Sequence, residues 1–378
     1  MRFLHLSDLH IGKRVNEFSM LEDQADILAQ ILEIADERQA DGVWIAGDVY
    51  DKSAPSAEAV QLFDWFLTQL AGKDLSVFVV SGNHDSAERI AFGAHLLDKC
   101  RVYLSPVFSG KAEPVLLRDA YGEAAVYLLP FLKPAYAKRI WPESEIDSYS
   151  DAVRAAVESM DIRPERRNIL IAHQFVTGAA RCESEEVSVG GVDNVDAAVF
   201  DPFDYVALGH IHSPQWVGRE TVRYCGTPLK YSFSEARQQK SVTVVTLLEK
   251  GRVEIDTAPL IPRRDMREIR GTYLELTARS FYQDFSTQDY IHATLTDEED
   301  VLNAVERLRT VYPNLMKLDY DNRRTRESRT VGCAENVEEK TPMQLLEEFY
   351  RLQNNQPMNP EQEAFAAGLM EKIWEGQE

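Results

Sequence analysis

Asp8, His10, Asp48, Asn83, His173, His210 and His212 carry side chains that hold metal ions, and each stands where an apolar run gives way to a polar loop. Carboxylate, amide oxygen and imidazole are hard to borderline donors suited to Mn²⁺, Fe²⁺, Co²⁺ or Zn²⁺. No cysteine falls in these loops, which argues against a thiolate zinc site or an iron–sulfur cluster. Seven donors exceed what one first-row ion takes and suit two ions sharing a bridge. Asp48, the lone carboxylate of Gly47-Asp48, is the expected bridge. Asp8, His10 and His212 are assigned to one ion, and Asn83, His173 and His210 to the other. Two ions roughly 3.5–4 Å apart clamp a phosphoryl group for in-line displacement and acidify a bridging water. His84, beside Asn83 but outside the donor set, is placed to give a proton or hydrogen bond to the leaving oxygen. Asp85 or Asp51 is the expected carboxylate that orients its ring.

These residues need strands to aim them. The apolar runs Arg2–Leu6, Gly42–Ala46, Leu75–Val80, Asn168–Ala172 and Asp204–Leu208 predict five buried strands. Loops beyond the carboxyl ends of such strands are where ligands gather in open α/β sheets. Ser56–Leu70, with Val60, Phe63, Trp65 and Leu67, predicts an apolar helix that is mostly core and could serve a homodimer contact. His5, His95 and His292 are expected to be structural. Downstream, Gln239–Leu248 predicts a closing strand, and Pro259 to Pro262 a linker. Thr272–Thr277 and Tyr290–Thr296 alternate like strands, Asp297–Val311 reads as a helix, and Leu315–Tyr320 as another strand. Thr341-Pro342 and Asn359-Pro360 are helix starts. The first helix carries Leu345, Leu346, Phe349 and Leu352, the second Phe365, Leu369, Ile373 and Trp374, stripes that need something to bury against.

The motifs D-x-H, G-D-x-x-D, G-N-H-D, a lone H and G-H-x-H stand as Asp8–His10, Gly47–Asp51, Gly82–Asp85, His173 and Gly209–His212. Over roughly residues 1 to 250 the chain thereby resembles the calcineurin-like metallophosphoesterase superfamily. That resemblance implies an α/β, four-layer fold: a β-sandwich flanked by helices. Leu4–Lys13, Gly47–Ser56, the Ser188–Gly191 loop and Gly226–Glu235 are further similar to the SbcD family of bacterial nuclease subunits. The second resemblance implies a nuclease domain over 1–258, a small α+β cap contacting DNA over 265–325, and a C-terminal helical hairpin over 338–378. It further implies two Mn²⁺ ions, 3′→5′ exonuclease action on double strands, endonuclease cutting of single strands, and hairpin opening. In that family the nuclease serves DNA repair, recombination and replication with a coiled-coil ATPase partner, SbcC, which the hairpin would bind. A small-substrate phosphodiesterase or phosphatase would use the same metal chemistry but needs neither cap nor hairpin. A non-catalytic scaffold would need none of the donors.

Charge strains against a nucleic-acid substrate. The 378 residues include 41 Lys and Arg against 62 Asp and Glu, a formal net charge of −21 that repels DNA at long range. Two divalent ions, acidic residues on a far face, or a partner's surface would soften the conflict. Arg263, Arg264, Arg267 and Arg270, then Arg323, Arg324, Arg326 and Arg329, are candidate phosphate contacts or simply solvated charge. Cys100, Cys182, Cys225 and Cys333 form no C-x-x-C pair and read as thiols of a reducing compartment. With no charged-then-apolar leader and no bilayer-length apolar run, the expectation is a cytoplasmic protein without a membrane span.

Overall fold

The structure is a computed structural model that describes residues 1–180, 184–185, 194–323, 325, 342–354 and 357–375. It divides into two units, Met1–Met266 and Arg267–Glu378.

The first unit is built on strands β1 (Arg2–Leu6), β2 (Gly42–Ala46), β3 (Ser76–Val80), β4 (Val102–Leu104), β5 (Val115–Asp119), β6 (Gly122–Leu129), β7 (Arg167–His173), β8 (Tyr205–Gly209), β9 (Gln215–Val217), β10 (Arg219–Tyr224), β11 (Ser241–Leu247) and β12 (Val253–Pro259). They form two six-stranded sheets, β12-β11-β1-β2-β3-β4 and β9-β10-β8-β7-β6-β5. Strands β1 to β4 run parallel, as do β6, β7, β8 and β10. Antiparallel neighbours flank these parallel cores. The expected closing strand is therefore not the last: β12 pairs outside β11 and takes the edge.

Alternation along the strands sends one set of side chains between the sheets. Phe3, Trp44, Ala46, Phe78 and Val80 from one sheet meet Val126, Ile169, Ile171, Tyr205 and Ala207 from the other. Phe3 stacks on Trp44 with ring centroids 4.5 Å apart, an aromatic pair worth about 0.5–1.5 kcal/mol beyond its burial. The opposite residues of the second sheet, Tyr127, Leu129, Leu170, Ala172, Val206 and Leu208, pack with Val153, Ala156 and Val157 of helix Tyr149–Glu158. Helix Ala57–Gly72, capped by Ser56, packs on β3 and buries Phe63, Phe66 and Leu70. Val60 and Trp65 of the same helix remain 44% and 38% exposed, so its apolar excess is not all core.

The second unit holds a three-stranded sheet of β13 (Met266–Gly271), β14 (Tyr290–Leu295) and β15 (Leu315–Tyr320) in that order. Ile269, Ile291, Ala293, Leu295, Leu308 and Tyr312 form its core. Two expectations need correction here. Thr272–Thr277 is not a strand: Thr272 and Glu275 make a capping box, and Tyr273–Thr277 is helical. The strand lies one segment earlier, at β13. The helix expected over Asp297–Val311 is confined to Ala304–Arg309. Asp297 is engaged elsewhere, its carboxylate accepting from the Tyr273 N–H at 2.8 Å, and Asn303 turns the chain with φ 52°. Helices Pro342–Asn354 and Pro360–Glu375 follow, the second started by reciprocal Asn359–Gln362 hydrogen bonds of 2.9 Å. Among the described residues no helix is long and apolar enough to cross a membrane.

Candidate metal centre

Five strand ends converge at one edge of the sandwich. The loops after β1 and β2 stay zipped beyond the sheet: Asp8 N–H donates to Gly47 O at 3.0 Å, and His10 N–H to Asp48 O at 2.9 Å. The loop after β3 is tied to them by Asp85, whose carboxylate accepts from the N–H groups of Gly82, Val49 and Tyr50 at 2.9, 3.1 and 3.0 Å. In the other sheet Gly209 pairs directly with His173. His173 Nδ1 donates across to Ala46 O at 2.8 Å, which joins the sheets at the site and turns Nε2 toward the other donors.

This closeness requires glycine. A Cβ on Gly82 would meet the carboxylate of Asp48, and one on Gly209 would meet the carbonyl of Ala46. The donors themselves sit in strained backbone. Asp8, His10, Asp48 and His210 have φ of 53°, 44°, 50° and 103°, all in the region that side chains rarely adopt. Such conformations cost of order 1–3 kcal/mol each and persist only where the surroundings enforce them.

The donor atoms group as two cation positions about Asp48. His10 Nε2 lies 3.2 Å from His212 Nε2, and ligand atoms of Asp8, His10 and His212 all fall within 4.8 Å of one another. On the other side Asn83 Oδ1 lies 3.0 Å from His173 Nε2 and 2.9 Å from His210 Nδ1. Asp48 Oδ2 stands between, 3.7 Å from His10 Nε2 and 3.4 Å from His173 Nε2. Its other oxygen accepts from the His84 N–H at 2.9 Å. The structure thus brings all seven predicted donors together.

Electrostatics favour cations in that space. Burial pushes the carboxyl of Asp8 up to about 7 and that of Asp85 up to about 6. Burial also drives His10 and His212 well below the usual imidazole range, so both rings are neutral donors. Burial opposes charge on His173 as well, yet the Asp48 carboxylate outweighs it and raises the imidazole to about 9. Asp48 in return is held well below the usual carboxylate range despite its burial. Buried carboxylates crowded among imidazoles, with His10 and His212 neutral, are the chemistry of a two-cation cradle. The donor set fits two divalent ions.

The residues around His84 are placed differently from expectation. Its Nδ1 lies 3.0 Å from the main-chain oxygen of Asp51, and its Nε2 lies 3.9 Å from Asp48 Oδ2. The carboxylate of Asp51 instead receives Lys13 Nζ at 2.8 Å, and that of Asp85 ties its own loop to the loop after β2. His5 is a core residue, 3.0 Å from Tyr205 Oη and 3.2 Å from Leu208 O. His95 lies in helix Ala94–Leu97 and His292 in β14, against Asp319 at 2.8 Å.

Sequence reasoning missed the supports. Gln24 Nε2 donates to His10 O at 2.8 Å, and Tyr231 Oη donates to Leu9 O at 2.5 Å, pinning the first loop from below. Ser184, Glu185, Glu235 and Lys240 gather on His212. Tyr231 and Glu235 lie in the Gly226–Glu235 segment, which carried a family likeness but no role. The Ser188–Gly191 loop, Cys182 and Cys333 lie outside the described residues; Cys100 is exposed and Cys225 buried, both free thiols.

The first arginine cluster is paired rather than open. Arg264 donates to Asp23 and Glu22 at 2.8 Å each, Arg263 lies 3.6 Å from Asp26, Arg267 lies 3.0 Å from Asp289, and Arg270 pairs with Asp321. Of the second cluster, Arg324, Arg326 and Arg329 fall outside the described residues.

Comparison with known proteins adds to this geometry. A family model described as calcineurin-like phosphoesterase matches residues 1–214, more than half of the chain. A second, described as type 5 capsule protein repressor C-terminal domain (SbcD_C), matches residues 262–354. The chain is 29% identical over 366 residues to the D subunit of nuclease SbcCD from Staphylococcus epidermidis, covering 95% of each protein. Among solved structures it is similar to a dimetal phosphatase from Danio rerio, at 11% identity and TM-score 0.40, covering 69% of this chain and 97% of that one. It is also similar to the protein TT1561 of Thermus thermophilus, at 12% identity and TM-score 0.38, covering 68% and 98%.

Proposed function

Because the chain belongs to the calcineurin-like phosphoesterase family, we propose that it is a two-metal DNA nuclease subunit that hydrolyses phosphodiester bonds, with Mn²⁺ as its working ion. The convergence of Asp8, His10, Asp48, Asn83, His173, His210 and His212 carries the hydrolytic reading. Alignment with a nuclease subunit over 95% of both chains supports DNA as the substrate. The activities proposed are 3′→5′ exonuclease action on duplex ends, endonuclease cutting of single strands, and opening of hairpins, in repair, recombination and replication.

Two ions held there would supply Lewis acidity toward a phosphoryl oxygen and acidify a bound water. The chain's own residues do the rest. With Nδ1 turned to Asp51 O, His84 presents Nε2 to a substrate oxygen. When protonated there, 3.9 Å from Asp48 Oδ2, it holds the proton that the leaving oxygen needs. The His84 N–H fixes Asp48 in turn, so donor and bridge are set by one loop. Asp85 acts by keeping that loop against the loop after β2.

Assembly follows the same reading. Phe349, Phe365 and Leu369 are 59%, 73% and 50% exposed on the C-terminal helices, apolar surface suited to the coiled-coil base of an SbcC-type ATPase. That partner would also supply phosphate-binding surface to a chain of net charge −21. Val60 and Trp65, with Phe92 and Leu96 at 85% and 74% exposure, are proposed as a homodimer surface in a cytoplasmic complex.

The test is cleavage of an end-labelled duplex with a 3′ overhang and of a hairpin, in Mn²⁺, Mg²⁺ or EDTA, with a chromogenic phosphodiester as control. Manganese-dependent cutting of DNA is the expected result. Turnover of the ester with DNA intact, even with the ATPase and ATP added, would replace this reading with a small-substrate phosphoesterase.

A further inference from the structure

His212 is held at three atoms by residues that the hydrolytic reading does not use. Its Nδ1 lies 2.7 Å from Ser184 Oγ, and Ser184 Oγ donates to Glu235 Oε1 at 2.6 Å. An ionised carboxylate only accepts, so the single hydroxyl proton points to Glu235 and Oγ receives the proton of His212 Nδ1. The other Glu235 oxygen accepts from Lys240 Nζ at 2.5 Å. Lys240 returns to the start by donating to His212 O at 2.9 Å. The N–H of His212 donates to Glu185 Oε1 at 2.7 Å. Glu235 is fully buried and Lys240 3% exposed, so the charged pair behind the half-buried Ser184 lies away from water, where its bonds are stronger.

The relay decides which nitrogen of His212 faces the cation. With the proton on Nδ1, Nε2 keeps its lone pair, and Nε2 is the atom 3.2 Å from His10 Nε2. A carboxylate behind a ligating imidazole fixes its tautomer and raises its basicity as a donor. The second cation position is supported otherwise, through the bond of His173 Nδ1 to the main-chain oxygen of Ala46.

We propose that Ser184 and Glu235 are positioning residues of the metal centre: through His212 they set the affinity of the ion shared with Asp8 and His10, and leave the ion at Asn83, His173 and His210 unaffected. This rests on the two-metal reading of the site, but not on DNA as the substrate.

The experiment is calorimetric titration of Mn²⁺ into the metal-free full-length chain, comparing wild type with Ser184→Ala, Ser184→Thr and Glu235→Gln. Ser184→Ala keeps the Glu235–Lys240 pair and so tests the relay without unpairing a buried charge. One of two sites is expected to weaken about 10–100-fold in Ser184→Ala and Glu235→Gln, the other to stay within error, and Ser184→Thr to recover the loss. Imidazole ¹⁵N spectra should show His212 with its proton on Nδ1 in wild type and lose that signature in Ser184→Ala. Unchanged affinity at both sites in a folded Ser184→Ala, or equal loss at both, overturns the proposal. A wild-type chain that takes up no ion removes the metal centre itself. One that binds two ions and cuts no DNA removes only the nuclease.

Discussion

Gly209 shows how little room the centre leaves. A methyl at that position enters the Ala46 carbonyl, the group that holds His173 Nδ1. Gly209→Ala is expected to cost at least about 1–3 kcal/mol, as for overpacked cores, read as a lower denaturant midpoint, and to weaken metal binding with it. His84 is the opposite kind of residue, partly exposed and outside the donor set. His84→Ala should keep two ions per chain yet lose about 10²–10⁴-fold in turnover, the usual share of a general acid. Metal analysis beside steady-state rates separates the two. Loss of metal in that variant would make His84 a ligand, and unchanged turnover would remove it from the chemistry.

At the scale of elements, β5 and β7 are joined by a pair that period-2 patterns do not show. Arg167 is 3% exposed and donates to both oxygens of Asp119, at 3.1 and 2.6 Å, across the edge of the second sheet. Burial opposes charge on Asp119, but the guanidinium and its other hydrogen bonds hold the carboxyl well below its usual range. A depressed carboxyl contributes stability that is complete above its unfolded value of about 3.9 and is lost as pH falls toward the folded value. Asp119→Asn should therefore cost on the order of 3 kcal/mol at neutral pH. The gap to wild type should begin to narrow as pH falls below about 4 in thermal melts, and a gap constant with pH would refute the assignment. The same local physics explains the misread elements. Thr272–Thr277 alternates like a strand, but a capping box outweighs a weak period over six residues. Val253–Pro259 has only one fully buried side chain, Ala258, so its place at the sheet edge hides its strand character.

For the whole molecule, the predictions concern surfaces. Removal of residues 336–378 should abolish co-purification with an SbcC-type ATPase and leave two ions bound; a truncated chain that still co-purifies would refute the docking role of the hairpin. Trp65→Glu with Leu96→Glu should convert a dimer to a monomer in light scattering and spare cleavage of the chromogenic ester. A wild-type chain that is already monomeric would dispose of the dimer. Charge alone pointed away from DNA, and the paired arginines at 263–270 do not reverse that. Nucleic acid therefore enters this reading through the metals, the relatives and a partner.

The chain by itself determined the candidate donors and the strands that end in them, because both are local: an apolar run is legible by its period, and Asp, Asn or His at its end by type. His10 and His212 stand 202 residues apart, and only the packing of one sheet on the other sets their Nε2 atoms 3.2 Å from each other. The same packing placed Asp48 between both groups and turned His84 onto a main-chain oxygen. It also brought Ser184, Glu235 and Lys240 around His212, residues with no periodic or motif signal of their role. Hydrogen-bond partners among isolated polar residues are chosen by tertiary contact, and sequence spacing carries no record of that choice.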